Sequence, residues 1–178
     1  MIREADAMIK IRNMNAGDCE AAIALWKRTA GMGLNSADDS PQGIARYLAR
    51  NPRTSFVAEE DGAVIGTILC GHDGRRGYIY HTAVLPEFRG KGTGRALVEA
   101  ALSALEAEGI RKAALVVFSE NDMGNAFWEH LGFSVRTDLT YRNRELSCAP
   151  AADSAPESAA RRNVMPSAAA DCDGFLKD

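Results

Sequence analysis

Apolar and polar residues alternate along Met8–Met14 (MIKIRNM), the period of a half-buried strand. Asn15, with Asp18 three residues on, is placed to cap a helix that carries Ala22, Leu25 and Trp26 at helical spacing. Ser40-Pro41 joins a cap residue to a first-turn proline and predicts a second helix. Its apolar face is Ile44, Tyr47 and Leu48, and Asn51-Pro52 stops it. Strand patterns then take over. TSFVAEE and AVIGTILCG flank Asp61-Gly62, a hairpin pair; HDGRRG reads as a second turn and YIYHTAVL as a third strand, giving an antiparallel meander. Leu97, Ala101 and Leu105, with Val98 and Leu102 beside them, mark an amphipathic helix that Gly109 ends. KAALVVF suits a buried strand, NDMGNAFWEHL a short helix stopped by Gly132, and FSVRTDLTYRNREL two last strands. The order β-α-α-β-β-β-α-β-α-β-β predicts an α/β fold with a mixed sheet.

The pattern stops after Leu146. Ser147–Asp178 is dominated by Ala, Ser, Asp and Pro, with few large apolar residues to offset its ordering entropy. A folded domain is therefore expected over residues 9–146, and a disordered or loosely attached Ala/Ser-rich tail over 147–178. A composition 46% hydrophobic and 25% charged suits one domain with a core. The net charge of −3 argues against a general nucleic-acid partner and is compatible with an amine substrate or simply a soluble surface. Cys19, Cys70, Cys148 and Cys172 are scattered, without metal-ligand spacing, so no metal is expected. With no secretory signal at the start and no apolar run of membrane-spanning length, a cytoplasmic protein with free thiols and no membrane partner is expected.

The chemistry concentrates in VLPEFRGKGTGRALVEAAL, Val84–Leu102. It begins as a strand and finishes as the amphipathic helix. Between lie Gly90, Gly92 and Gly94, interleaved with Arg89, Lys91 and Arg95. A helix start leaves backbone N–H groups unpartnered and carries partial positive charge, which makes an anion site. Glycines let the backbone approach a bulky anion, and the cations add full charge. The bland alternative is a glycine-rich linker with solvated cations; the strand before and helix after favour a phosphate or pyrophosphate. Neither GxxxxGK[ST] nor GxGxxG is present.

What fits is R-x-x-G-x-G, at Arg89, Gly92 and Gly94. Here the chain resembles the GNAT superfamily of acetyl-CoA-dependent N-acetyltransferases, whose pyrophosphate motif V-x-P-x-[YF]-R-G-x-G-x-G stands as VLPEFRGKGTG. A second signature, an asparagine followed by an aromatic and then Gly-Phe, stands as Asn121, Trp128 and Gly132-Phe133. The resemblance runs from about Ile9 to Leu146. It implies a central sheet flanked by helices, with two parallel strands, here YIYHTAVL and KAALVVF, splayed around the pantetheine arm. It implies acetyl-CoA as cosubstrate, held by Thr82, Val84 and Leu85 along the strand, by Arg89, Gly90, Lys91, Gly92, Thr93, Gly94 and Arg95 in the turn, and by Asn121 and Trp128. A backbone N–H near Thr82 or Ala83 is expected to face the acetyl carbonyl.

The implied activity is acetyl transfer to a primary amine, of a small molecule or a protein, by direct attack in a ternary complex. The alternative is a catalytically weak acyl-CoA-binding sensor. A lysine-like amine, with a pKa of about 10.4, requires a base. By strand alternation Tyr78, Tyr80 and Thr82 share one face and His81 points the other way. Tyr78 stands where some family members carry a base glutamate, and Tyr80 is placed to hold a water or substrate group; both are the catalytic candidates, with sheet packing the competing role. His81 is more often a packed histidine than a base, and Glu120 a water-holder or a solvated acid. Trp128 replaces the family's frequent tyrosine; an indole is no useful acid, so water or no acid at all is expected to serve the leaving thiolate. The acceptor pocket is expected in TAGMGLNSADDSPQG, where Asp38 and Asp39 read more readily as solvated than as ammonium-binding. The family often dimerises, so a homodimer is a further expectation.

Overall fold

Asn15 opens the first helical segment as its spacing requires. Its side chain accepts from Gly17 N–H at 2.8 Å, and Asp18 returns the bond by accepting from Asn15 N–H at 2.9 Å. The computed structural model describes residues 8–35, 37–144 and 146. Elements run β1 (Lys10–Asn13), a 3₁₀ turn (Ala16–Asp18), α1 (Cys19–Lys27), α2 (Pro41–Arg50), β2 (Phe56–Glu60), β3 (Ala63–Ile68), β4 (Cys70–His72), β5 (Gly77–Ile79), β6 (Ala83–Val84), a 3₁₀ turn (Pro86–Phe88), α3 (Thr93–Ala107), β7 (Ala113–Leu115) and α4 (Asp122–His130). The chain divides after Arg136 into two units, and every described helix and strand belongs to the first. None of the described helices is long and apolar enough to cross a membrane.

Strands β1, β2, β3 and β6 form one antiparallel sheet in that order, and β4, β5 and β7 a second, with β5 and β7 parallel. Asp61 and Gly62 both adopt positive φ, the backbone of a tight hairpin between β2 and β3. Adjacent residues of β3 show where the helices lie. Thr67 accepts from the Trp26 indole of α1 at 2.8 Å, whereas a Cβ on Gly66 would lie 3.1 Å from Leu97 of α3. Neighbouring strand positions face opposite ways, so α1 and α3 cover opposite faces. The core is Trp26, Ile44, Val57, Ile68, Ile79, Leu97, Val98 and Leu105, all essentially inaccessible. Cys19 and Cys70 are buried free thiols.

Three expectations require correction. YIYHTAVL is not one strand but β5 and β6, one in each sheet, and AVIGTILCG divides likewise into β3 and β4. Pairing steps from Cys70↔Ile79 to Thr67↔Ala83, three residues on one strand against four on the other. The extra residue is a bulge at Tyr80-His81-Thr82. KAALVVF yields only the half-buried β7; Val116 and Phe118 beyond it are exposed. Finally, no strand follows α4 among the described residues. Val135, Leu139 and Tyr141 alternate, yet are 81%, 62% and 70% exposed. A face left this exposed gains too little from burial to hold a strand. The expected tail over 147–178 lies outside the described residues.

Candidate active site

The bulge is where the sheet opens. Parallel pairing of β5 with β7 ends at Ile79↔Leu115, and β6 continues paired with β3 alone. Leu85 N–H donates to Ile65 at 2.9 Å, so alternation places Ala83 in the next hydrogen-bonded pair and turns the Val84 amide away from β3, toward the opening. Of the main-chain groups nominated in the sequence, the N–H groups of Ala83 and Leu85 are thus engaged in the ladder. The Val84 carbonyl accepts from Arg89 Nε at 2.9 Å.

The chain then turns through Pro86–Phe88 into the glycine-rich loop. Gly90 and Gly92 adopt φ of +74° and +84°, and a Cβ on either would meet no atom within 4 Å. Gly92 is the N-cap of α3 and offers no side-chain bond, so the first-turn amides of a 15-residue helix have no side-chain cap. Gly94 has a different reason to be glycine: its Cβ would lie 3.3 Å from the Phe127 ring of α4. Arg89, Lys91 and Arg95 are exposed around the turn; Arg95 also lies 3.6 Å from Glu99, and Lys91 Nζ stands 5.3 Å from the Phe88 ring centre. Thr93 is buried, its hydroxyl at 3.5 Å from the Phe88 carbonyl.

Open backbone at an uncapped helix start, three cations, and two parallel strands that part beside it form a cradle for an extended anionic ligand. The model of the Acetyltransferase (GNAT) family matches residues 20–133. The chain belongs to this family. It is 38% identical over 128 residues to Acetyltransferase plu1384 of Photorhabdus laumondii, covering 72% of this chain and 88% of the relative. It is 34% identical over 136 residues to Acetyltransferase ECA0875 of Pectobacterium atrosepticum, covering 76% and 95%. The PaiA N-acetyltransferase of Thermoplasma acidophilum, solved in complex with coenzyme A, shares the fold with a TM-score of 0.64 at 21% identity, over 72% of this chain and 91% of that one. This GNAT protein is an acetyl-CoA-dependent acyltransferase with the mixed α/β fold the sequence predicts.

On the α1–α2 side of the GNAT sheet the bulge rearranges the expected faces. Tyr80 packs edge-on to Tyr47 of α2, with ring centres 5.8 Å apart, and lies 4.7 Å from Tyr78. His81 does not point the opposite way: its ring lies 4.5 Å from Trp26 of α1. Both residues reach the N-terminal helices because the extra residue breaks the alternation between them. Tyr80 is 48% exposed, whereas the Tyr47 hydroxyl is buried and makes no hydrogen bond among the described residues; burial raises its pKa.

The connection between α1 and α2 spans the opening. At one end Gly31 and Gly33 approach so closely that added Cβ atoms would lie 3.0 Å from Asn121 Nδ2 and 2.9 Å from the Phe118 ring. At the other, Asp39 Oδ1 lies 2.6 Å from His81 Nε2, while Asp39 Oδ2 accepts from Asn35 N–H at 2.6 Å. Asp39 is therefore not a solvated loop acid; its side chain is 12% exposed. Asn121 caps α4 by accepting from Gly124 N–H at 2.9 Å. Trp128 is wedged between Phe127 and Phe133, with 5.1 Å between ring centres on each side. Glu120 is exposed. The Asp39–His81 contact joins residues 42 apart in sequence, and no local motif signals it. The described residues contain no group of three or more His, Cys, Asp or Glu able to hold a metal.

Proposed function

We propose that the protein transfers the acetyl group of acetyl-CoA to a primary amine, by direct attack of the amine while both substrates are bound. The observation that carries this reading is the turn over residues 89–94. Two glycines with positive φ face open space before uncapped amides at the start of α3, next to the point where β5 and β7 part. The residues fit a diphosphate. Main-chain N–H groups from Gly90 to Arg95 bind it, and Lys91, Arg95 and the outward part of Arg89 neutralise it. The Val84 edge meets the pantetheine amides as a missing strand would, with Leu85 contributing side-chain packing because its N–H is taken. With the Val84 amide given to the pantetheine arm, the Thr82 amide is the donor left to polarise the acetyl carbonyl, a role worth about 3 kcal/mol in comparable sites.

The thiolate of coenzyme A is an adequate leaving group, since a simple thiol has a pKa of about 8.5. Trp128 packs between Phe127 and Phe133, and its indole is no useful acid. Asn121 positions the start of α4 and the neighbouring Gly31 rather than serving a reactive role. Tyr78 and Tyr80, with Tyr47, wall the acceptor side beneath the α1–α2 connection. The test has two parts. Calorimetry should detect coenzyme A binding, and thiol release from acetyl-CoA should depend on an amine drawn from spermidine, a lysine peptide, an alanine-initiated peptide and an aminoglycoside. Tight binding with no amine-dependent release favours a sensor; absence of binding rejects the cradle itself.

A further inference from the structure

The described structure holds two histidine–carboxylate pairs, and they differ in one respect. His72 Nε2 lies 2.8 Å from Glu108, and its Nδ1 accepts from Gly74 N–H at 3.0 Å. Both ring nitrogens are occupied, so that imidazole is a structural tie. His81 Nε2 lies 2.6 Å from Asp39, but its Nδ1 has no hydrogen-bond partner among the described residues. An ionised carboxylate only accepts, so Nε2 of a neutral His81 carries the proton and Nδ1 carries the lone pair. The ring is held as well as polarised. Trp26 walls it at 4.5 Å, and the indole is itself fixed by its bond to Thr67. Asp39 is fixed by Asn35 N–H.

This imidazole sits in the bulge where the sheet opens, beneath the connection that bridges the opening. We propose that His81 is the general base that deprotonates the acceptor amine, with Asp39 as its positioning residue; this rests on the transfer reading above. The ammonium gives one proton to His81 Nδ1. The freed nitrogen bonds to the acetyl carbon as the carbon–sulfur bond breaks. The second N–H proton leaves with the thiolate, and His81 returns its proton to water. The groups that face the ring are Asp39 from the α1–α2 connection and Trp26 from α1; Tyr80, beside it in the chain, is the other titratable neighbour. An aliphatic amine is the acceptor class that most needs such a base, because it is almost wholly protonated at neutral pH.

The experiment compares His81→Gln, Asp39→Asn and His72→Gln with wild type, using whichever of the four amines turns over fastest. Wild type should show an acidic limb in kcat/KM. His81→Gln should lose about 100-fold or more in kcat, a loss typical of a missing base. Its limb should be replaced by a steady rise with pH that follows the free amine, while its affinity for coenzyme A and its Tm stay near wild type. Added imidazole should restore His81→Ala in proportion to concentration. Asp39→Asn should lose activity too, because an amide no longer enforces the tautomer. His72→Gln should leave the profile unchanged. Retention of the limb and of kcat within about threefold in His81→Gln would overturn the inference alone. Parallel loss of coenzyme affinity and folding in that variant would do the same, by showing a purely structural tie. Inert wild type would overturn the transfer reading and this inference with it.

Discussion

Replacing Gly92 by alanine separates backbone strain from ligand contact, because the protein supplies its own control. Gly92 sits at φ +84° and ψ −4°, and an added Cβ meets no atom within 4 Å. Gly74, in the turn between β4 and β5, has φ +88° and equally open surroundings. Alanine at either position therefore carries the same cost, about 1–2 kcal/mol for an L-residue held in the left-handed region, and no clash. Urea unfolding should report that loss for both variants. Coenzyme binding should divide them. At Gly92 the methyl enters the space that the diphosphate is proposed to fill, before the α3 amides. Losing one charge-assisted bond there costs about 1.5–3 kcal/mol, or roughly 10- to 150-fold in Kd. Gly74→Ala should bind coenzyme A within about twofold of wild type, since the β4–β5 turn takes no part. S-Acetylpantetheine, which lacks the diphosphate, should serve wild type and Gly92→Ala equally well. Equal Kd values in calorimetry for wild type and both variants would refute the placement of the diphosphate at this turn.

Trp128→Phe should keep kcat within about threefold, because the indole packs and is not an acid; a larger fall in kcat at unchanged coenzyme affinity would restore a chemical role to the N–H. Asp18→Asn should destabilise the fold by about 1.5–3 kcal/mol at pH 7, since the carboxylate takes two 2.8 Å bonds from Arg12 and one from Asn15. Those bonds, Arg12 first, hold the Asp18 pKa below its ordinary value. The stabilisation is thus complete above the unfolded value of about 3.9 and disappears as pH falls through the lower folded value. Urea midpoints at pH 7 and pH 3 should show the wild-type advantage shrinking, and a constant advantage would contradict the assignment. Gly71→Ala should cost about 1–3 kcal/mol by overpacking, because its Cβ would lie 2.5 Å from both the Tyr47 hydroxyl and Asn51 Cγ. A thermal midpoint equal to that of wild type would mean that α2 shifts freely.

Local rules carried the helices. Asn15, Ser40 and Asn121 each cap where the pattern placed a helix start, and Gly109 and Gly132 end α3 and α4 with positive φ. Those signals act within a few residues, so one sequence suffices to read them. Strand extent was less legible, because a strand is completed by partners that its own period does not name. FSVRTDLTYRNREL has the period and forms no strand among its described residues, while YIYHTAVL has the period and paired neighbours and is still interrupted.

The interruption explains which part of the site could be read. The glycine-rich turn is contiguous, so the reasoning for the proposed anion site lies open in residues 89–94. The proposed acceptor side depends on a one-residue mismatch between β3–β4 and β5–β6 that no motif records. Period-2 reasoning sends His81 away from Tyr80; the bulge turns both toward the N-terminal helices, and there His81 meets an aspartate 42 residues earlier. A single inserted residue thus converts a plain strand into a place where the sheet opens and a polarised imidazole stands at the opening. Deleting Thr82 to restore the register should therefore straighten β5 into β6, return His81 to the other face and remove the Asp39 contact. The chain would keep its coenzyme turn and lose its acceptor chemistry. Undiminished amine acetylation by that deletion variant would show that the bulge is only a structural irregularity.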